Sequence, residues 1–375
     1  MEKIFIFVNH SWPHTGGCEK VVQQISESLH SKFNCECTVF SKSYSGNPIV
    51  QNGIIYRSVS PSPQKFLQEV IQGSPDHILV YGDMFIHWAF ILNNLNNLKC
   101  GKTIALVGMN LMRQNGLLLQ KFIKNKDQIN VVVHSQKYID YLMCKHYDIP
   151  VNVIPNGITM SEFEKSSFDF RSKYNIDKQT KIILCVSNFF PGKGQEFLIP
   201  IIKNVQDKIK DSISIFICSQ VNFPFAKILQ NRFITNAKNA NINFKVLEDI
   251  SREEVISAFT TANVFAFPSQ KEVAPLVLLE AMASKTPWIS LPVGNSKELS
   301  GGIIIPAKEI DADENFIYNS EIIDSFSKAL INVLENKEYS ERLILDGNKE
   351  AQSVFNFDII ADKYFELFTK RKKNE

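Results

Sequence analysis

Several common signatures are missing from this 375-residue chain. Neither G-x-G-x-x-G nor G-x-x-x-x-G-K-[ST] occurs, so it carries no dinucleotide fingerprint and no P-loop. Lysine plus arginine number 41 against 39 for aspartate plus glutamate, and this near-balance gives no global attraction to nucleic acid or to an acidic polymer. The seven cysteines are odd in number and scattered, with no C-x-x-C and no zinc-like pairing with histidine. Reduced thiols in a cytosolic protein fit them better than a disulfide framework. No window approaches about 18 uninterrupted apolar residues, and the apolar run in MEKIFIFVNH is too short for a signal core. Membrane spanning and secretion are therefore not expected.

What is present is a soluble globular composition, 44% hydrophobic and 21% charged, long enough for two domains with cores of their own. Apolar runs recur between longer amphipathic stretches: KIFIFV, the helix-like VVQQISESLHSKF, ECTVF, IIYRSV, KFLQEVIQ and HILVYGD, continuing through KTIALVGMN, NVVVHSQ and VNVIPNG. Strands that are apolar throughout and alternate with helices indicate a parallel sheet covered on both faces, the α/β doubly wound pattern. After VNVIPNG comes SEFEKSSFDFRSKYNIDKQT, polar and poorly periodic, which reads as a linker with an entry helix. A second α/β series follows, with KIILCVSN, SISIFICS, INFKVLE, VFAFPS, WISLPV and GGIII as its strands. Two such domains facing each other would form a cleft near residues 155 to 190.

In this architecture chemistry belongs in the loops that follow the strands. After KIFIFV comes NHSWPHTGGCEKVV, where Gly16 and Gly17 could bring backbone amides close to a phosphate or sugar at a helix start, or simply make a tight turn. After KIILCVSN comes FFPGKGQEF, where Lys193 between Gly192 and Gly194 could offset a diphosphate, or be an exposed turn lysine. After VFAFPS comes QKEVAPLVLLEAMA, with Glu272 and Glu280 on either side of seven apolar residues. A helix starting near Pro275 would leave Glu272 in the loop and place Glu280 in the second turn. Its first amides would form an anion site.

These pieces, in this order, resemble glycosyltransferase family 4. The residues that carry the likeness are GGCEKV (16–21), VIPNGI (153–158), VSNFFPGKG (186–194), FAFPSQKEVAPLVLLEAMASKTPWI (265–289) and FNFDIIADKYFELF (355–368). The resemblance implies the GT-B fold, two Rossmann-like domains facing a central cleft. Residues 1–165 would be the acceptor side and 166–355 the donor side, with the terminal helix 356–375 returning to the first domain. It implies retaining transfer from a nucleoside-diphosphate sugar to a glycan, glycolipid or small-molecule acceptor, without a metal or other cofactor. The competing readings are a non-catalytic nucleotide-sugar or glycan binder and a sugar-phosphate enzyme such as an epimerase or phosphorylase on the same scaffold.

Carried over residue by residue, Glu280 would bind the ribose and Glu272 would lie near the transferred sugar. Gly16 and Gly17 would cover the donor phosphates, Lys193 would neutralise them, and the backbone of Val273, Ala274, Pro275, Leu276 and Val277 would complete the cradle. Asn188 stands where relatives often have an arginine, and Arg113 and Arg252 are candidates to supply the missing charge. Gly108, Met109 and Asn110 stand where many relatives carry a histidine, so Asn110 is assigned to the acceptor and His14, beside the glycine pair, to catalysis. His87 and His134 are further imidazoles to place. The pair Asp311 and Asp313 reads as a solvated acidic turn rather than a metal-binding motif. The segment NGLLLQKFIKNKDQIN reads as a core-facing helix, with contact to the inner face of a membrane as the alternative. The basic tail around Lys370, Arg371, Lys372 and Lys373 reads as frayed.

Overall fold

Short apolar runs bounded by polar turns build two separate parallel sheets in the computed structural model, which describes residues 1–13, 16–42, 46–60, 62–82, 85–107, 116–164, 168–219 and 224–370. The chain divides into two compact units, Met1–Gly157 with Asn356–Glu375, and Ile158–Phe355.

The first unit holds an eight-stranded sheet. Its strands are β1 (Lys3–Val8), β2 (Glu36–Ser41), β3 (Ile49–Gln51), β4 (Ile54–Ser58), β5 (His77–Tyr81), β6 (Gly101–Ala105), β7 (Asn130–Val133) and β8 (Val151–Val153), in the spatial order 3-4-2-1-5-6-7-8. All neighbours are parallel except β3 and β4. That hairpin edge was not anticipated. Its turn is Asn52-Gly53, with φ of 50° and 78°, the two left-handed residues that a tight two-residue hairpin requires.

The terminal helix Phe357–Thr369 packs on the helix Gly17–Phe33 within this unit. Phe33 stacks on Phe365 at 4.0 Å, Lys32 pairs with Asp362 at 2.7 Å, and Phe368 stacks on His77 at 4.1 Å.

In the second unit the strands are β9 (Lys181–Val186), β10 (Ser212–Cys218), β11 (Phe244–Glu248), β12 (Val264–Phe267), β13 (Trp288–Ser290) and β14 (Gly302–Ile304), all parallel, in the order 11-10-9-12-13-14. β9, β10 and β12 are almost wholly buried, which is why their sequences are apolar on both faces.

The expected division at 165/166 is moved eight residues earlier, to 157/158. The cause is aromatic anchoring inside a polar-looking segment: Ile158, Phe163, Phe170 and Ile176 all enter the second core. The Ser257 hydroxyl also donates to the Phe168 carbonyl at 2.6 Å. The segment read as a linker is thus the first layer of the second unit.

All seven cysteines are free thiols, five of them buried. Burial pushes the Cys35 thiol up to about 11 and those of Cys144 and Cys218 up to about 12, so they behave as inert core residues.

Candidate donor-binding site

In the second sheet the chain runs from β9 outward to β10 and β11, then crosses back to β12 on the opposite side of β9. Loops leaving adjacent strands in opposite directions open a crevice at such a switch point. The loop after β9 carries Lys193 and the loop after β12 carries Glu272. Lys193 Nζ lies 2.5 Å from Glu272 Oε1, with 31% and 14% of the two side chains exposed.

The pair is built into the loops rather than resting on their surface. Ser269, fully buried, donates its hydroxyl to the same Glu272 Oε1 at 2.7 Å. The Gln270 amide donates to the Gly192 carbonyl at 2.7 Å, joining the two loops through their backbones. Gly194 has φ of 74°, and a Cβ there would sit 2.1 Å from the Pro268 carbonyl oxygen. Only glycine allows that approach.

Eight residues after Glu272 comes Glu280, on the helix Leu276–Ala283. Pro275 is its N-cap residue, so the loop acid and the helix acid fall where the sequence put them. Leu276 and Val277 are half-buried at the helix start, whereas Leu278, Leu279 and Glu280 are buried. Before the helix, the Val273 carbonyl accepts from the Asn295 amide at 2.9 Å, which fixes the backbone of Val273 and Ala274. Glu280 Oε1 lies 2.6 Å from Arg252 Nη1, and the other edge of that guanidinium reaches Glu162. Burial works against the Arg252 charge, but Glu280 and Glu162 outweigh it and raise its pKa.

Asn188 acts on the loops themselves. Its side-chain oxygen accepts from the Ser219 amide at 2.8 Å, and its carbonyl accepts from Gln195 Nε2 at 2.9 Å, so it ties the loop after β9 to the end of β10.

A further element escaped the sequence reading. Residues 309–318 form a strap, closed by the bridge Ile310–Phe316, that lies against the loop after β12. Gln270 Nε2 donates to the Phe316 carbonyl at 2.7 Å, and the Phe316 amide donates back to the Gln270 carbonyl at 3.1 Å. The Tyr318 hydroxyl donates to the Pro268 carbonyl at 2.9 Å while its ring stacks on Phe197 at 4.1 Å. Tyr318 therefore touches both loops. Asp311 is consumed by the strap's own turn, accepting from the amides of Asp313 and Asn315 at 2.9 Å each. These bonds, the Asn315 amide foremost, lower its pKa. Ser269 had a legible signal, the spacing Ser-x-x-Glu; the strap had none, because its bonds are mostly to backbone.

In the first unit Gly16 is extended, φ −145° and ψ 177°, and caps the helix Gly17–Phe33. Among the described residues, a Cβ on Gly17 would meet nothing within 4 Å. Packing among those residues does not demand glycine at 17. His134 is buried, 2.8 Å from the Ile154 carbonyl through Nδ1 and 3.2 Å from the Tyr81 hydroxyl through Nε2. Burial lowers its pKa to about 4, which fits a structural imidazole. The helix Gly116–Lys124 buries Leu118 and Phe122 and leaves Leu117 exposed, the core-facing arrangement. His14, Gly108, Met109, Asn110, Arg113, Arg371, Lys372 and Lys373 lie outside the described residues, as does the His87 side chain.

Known proteins share the architecture. The chain superposes on the sucrose-phosphate synthase of Thermosynechococcus elongatus with a TM-score of 0.79 at 16% identity, covering 100% of both chains. On the Anabaena protein HepE in complex with UDP-glucose the TM-score is 0.75 at 14% identity, covering 99% of this chain and 100% of that one. The fold is GT-B. Residues 166–350, nearly the whole second unit, match the family model for glycosyl transferases group 1. A D-inositol 3-phosphate glycosyltransferase from Corynebacterium glutamicum is 23% identical over 264 residues, 68% of this chain. The chain spans 60% of that relative's length. In this GT-B chain, Lys193, Ser269, Glu272 and Glu280 all belong to the matched segment.

Proposed function

We propose that the chain is a retaining glycosyltransferase of the family 4 type that takes a sugar from a nucleoside diphosphate and transfers it to a glycan, glycolipid or small-molecule acceptor. The observation that carries this reading is the meeting of Lys193 and Glu272 at the switch point of the second sheet, with Glu280 on the following helix. Read as a cation for the diphosphate, a carboxylate for the sugar and a carboxylate for the ribose, these three side chains correspond to the three parts of a nucleotide sugar.

As the glycosidic bond breaks, its electron pair passes to the departing phosphate oxygen, and negative charge grows on the diphosphate. Lys193 and the first-turn amides of the helix Leu276–Ala283 meet that charge and favour the transition state over the ground state. Glu272 holds hydroxyls of the sugar while its anomeric carbon carries positive charge. The acceptor hydroxyl attacks from the face that the diphosphate leaves and gives its proton to the departing phosphate, which retains configuration. Gly17, where no described residue would meet a Cβ, suits a backbone that covers phosphate. Asn110 toward the acceptor and His14 as a catalytic residue beside the glycine pair belong to the same proposal. The first unit would serve the acceptor and the second the donor. Use in envelope polysaccharide or lipopolysaccharide synthesis, in the cytoplasm and against the inner face of a membrane, fits a lipid-linked acceptor. Among the described residues no helix is long and apolar enough to cross a membrane.

The test is incubation with UDP-, GDP- and ADP-sugars, followed by assay for released nucleoside diphosphate. Glu280→Ala is expected to weaken nucleotide binding by about tenfold or more, the size of a lost hydrogen bond to a charged group. Glu272→Gln is expected to lower turnover more than binding. Saturable binding without turnover in the wild type would mark a nucleotide-sugar binder instead, and unchanged activity in both variants would refute the site.

A further inference from the structure

Arg252 stands out because it was a candidate for the diphosphate, yet the structure engages it elsewhere. It opens the helix Arg252–Thr261, and its guanidinium faces two carboxylates at once. Nη1 lies 2.6 Å from Glu280 Oε1. Nη2 and Nε donate to Glu162 Oε2 at 2.8 and 3.2 Å. The group lies against Phe163, 5.5 Å from the ring centroid.

The contacts together use a property that arginine has and lysine lacks. The planar fork presents separate edges, so one edge can hold Glu162 while the remaining nitrogen holds Glu280. The Phe163 ring and Glu162 fix the plane of the fork, and the fork then fixes the carboxylate. Only 8% of the Glu280 side chain is exposed, so its orientation is set by what touches it inside the unit. A carboxylate that must accept from two vicinal hydroxyls needs such a fixed plane, because both bonds depend on its direction.

We propose that Arg252 is the positioning residue for Glu280: it aims that carboxylate at the ribose diol of the nucleotide, with Glu162 and Phe163 as its anchor, and it does not itself bind phosphate. This rests on the reading of Glu280 as the ribose ligand. It extends that reading to three residues outside the loop and helix that carry Glu272 and Glu280.

The experiment measures, by calorimetry on the full chain, the affinity for a nucleoside diphosphate, its 2′-deoxy analogue and the corresponding monophosphate. The base is the one for which the wild type binds most tightly. Wild type should prefer the ribonucleotide over the deoxynucleotide. In Arg252→Gln that preference should shrink by about tenfold, the value of one charge-assisted hydrogen bond, while the preference for diphosphate over monophosphate stays. Arg252→Lys should recover only part of the preference, because a point charge cannot hold both acids. Glu162→Gln, which leaves Arg252 and Glu280 in place, should show a weaker loss of the same kind and guards against a folding defect in the arginine variants. Loss of the diphosphate preference with the ribose preference intact would make Arg252 a phosphate ligand and overturn the proposal. An unchanged ribose preference in Arg252→Gln would overturn it as well. If the wild type itself does not distinguish ribose from deoxyribose, the ribose reading of Glu280 falls first and the role of Arg252 with it.

Discussion

Ser269 has no exposed surface, yet it carries a hydroxyl, and that hydroxyl is aimed at Glu272. Replacing it with alanine removes one donor to a carboxylate that Lys193 already holds. Ser269→Ala is expected to cost about 1–2 kcal/mol of stability and to lower turnover several-fold, with nucleotide affinity nearly unchanged. Denaturant titration and the nucleotide-release assay check the two halves separately. At this scale the sequence was informative where chemistry and spacing coincide. Lys193 between two glycines and the two acids flanking seven apolar residues were visible without coordinates. The Asn188 side chain was not, since a carboxamide that caps a neighbouring loop is indistinguishable in sequence from one that binds a ligand. In the sequence Arg252 shows only its charge. Its partners, Glu162 and Glu280, are far away in sequence.

Among the elements, the parallel strands were legible because burial on both faces makes them apolar throughout. β3 was not, being a three-residue edge strand with an exposed centre, although Asn52-Gly53 announced its hairpin. The strap 309–318 was invisible for a different reason: it is held by carbonyls and amides, which every sequence has. Its hold on both loops gives a direct prediction. Tyr318→Phe keeps the ring on Phe197 and removes the bond to the Pro268 carbonyl. It should cost about 1 kcal/mol, and amide exchange should accelerate in the strap and in residues 268–272. Exchange in β10, on the far side of β9, should stay as in the wild type. Equal exchange everywhere would show that the strap does not secure the loop.

The two units differ in how acid attacks them. In the first, burial lowers the pKa of His134 to about 4, while an unfolded histidine titrates near 6.5. Below pH 6.5 the unfolded chain takes a proton that the folded unit refuses, so stability falls as pH drops from about 6.5 to 4, by roughly 3 kcal/mol in all. In the second, the Lys173 ammonium foremost, with Tyr174 and the Ser251 cap, holds Glu254 at about 2, below its usual 4.5. The stability Glu254 contributes is complete above pH 4.5 and is lost only as pH falls from there through about 2. The first unit should therefore yield to acid before the second. Trp88 reports on the first and Trp288 on the second, both fully buried. Fluorescence of single-tryptophan variants along a pH series should give the earlier transition for Trp88, and His134→Gln should flatten its slope between pH 6.5 and 4. The reverse order would contradict these assignments.

Lys193 and Glu272 are 79 residues apart in sequence. They are neighbours because the chain, after placing β10 and β11 on one side of β9, returns to pair β12 with its other side. Loop closure of that length is slow relative to local structure. On the proposed role of the pair, a chain in which β12 has left β9 should have no donor site with which to capture a sugar nucleotide. Nucleotide affinity is therefore expected to be lost together with the pairing of β12 to β9, and bound nucleotide is expected to stabilise that pairing.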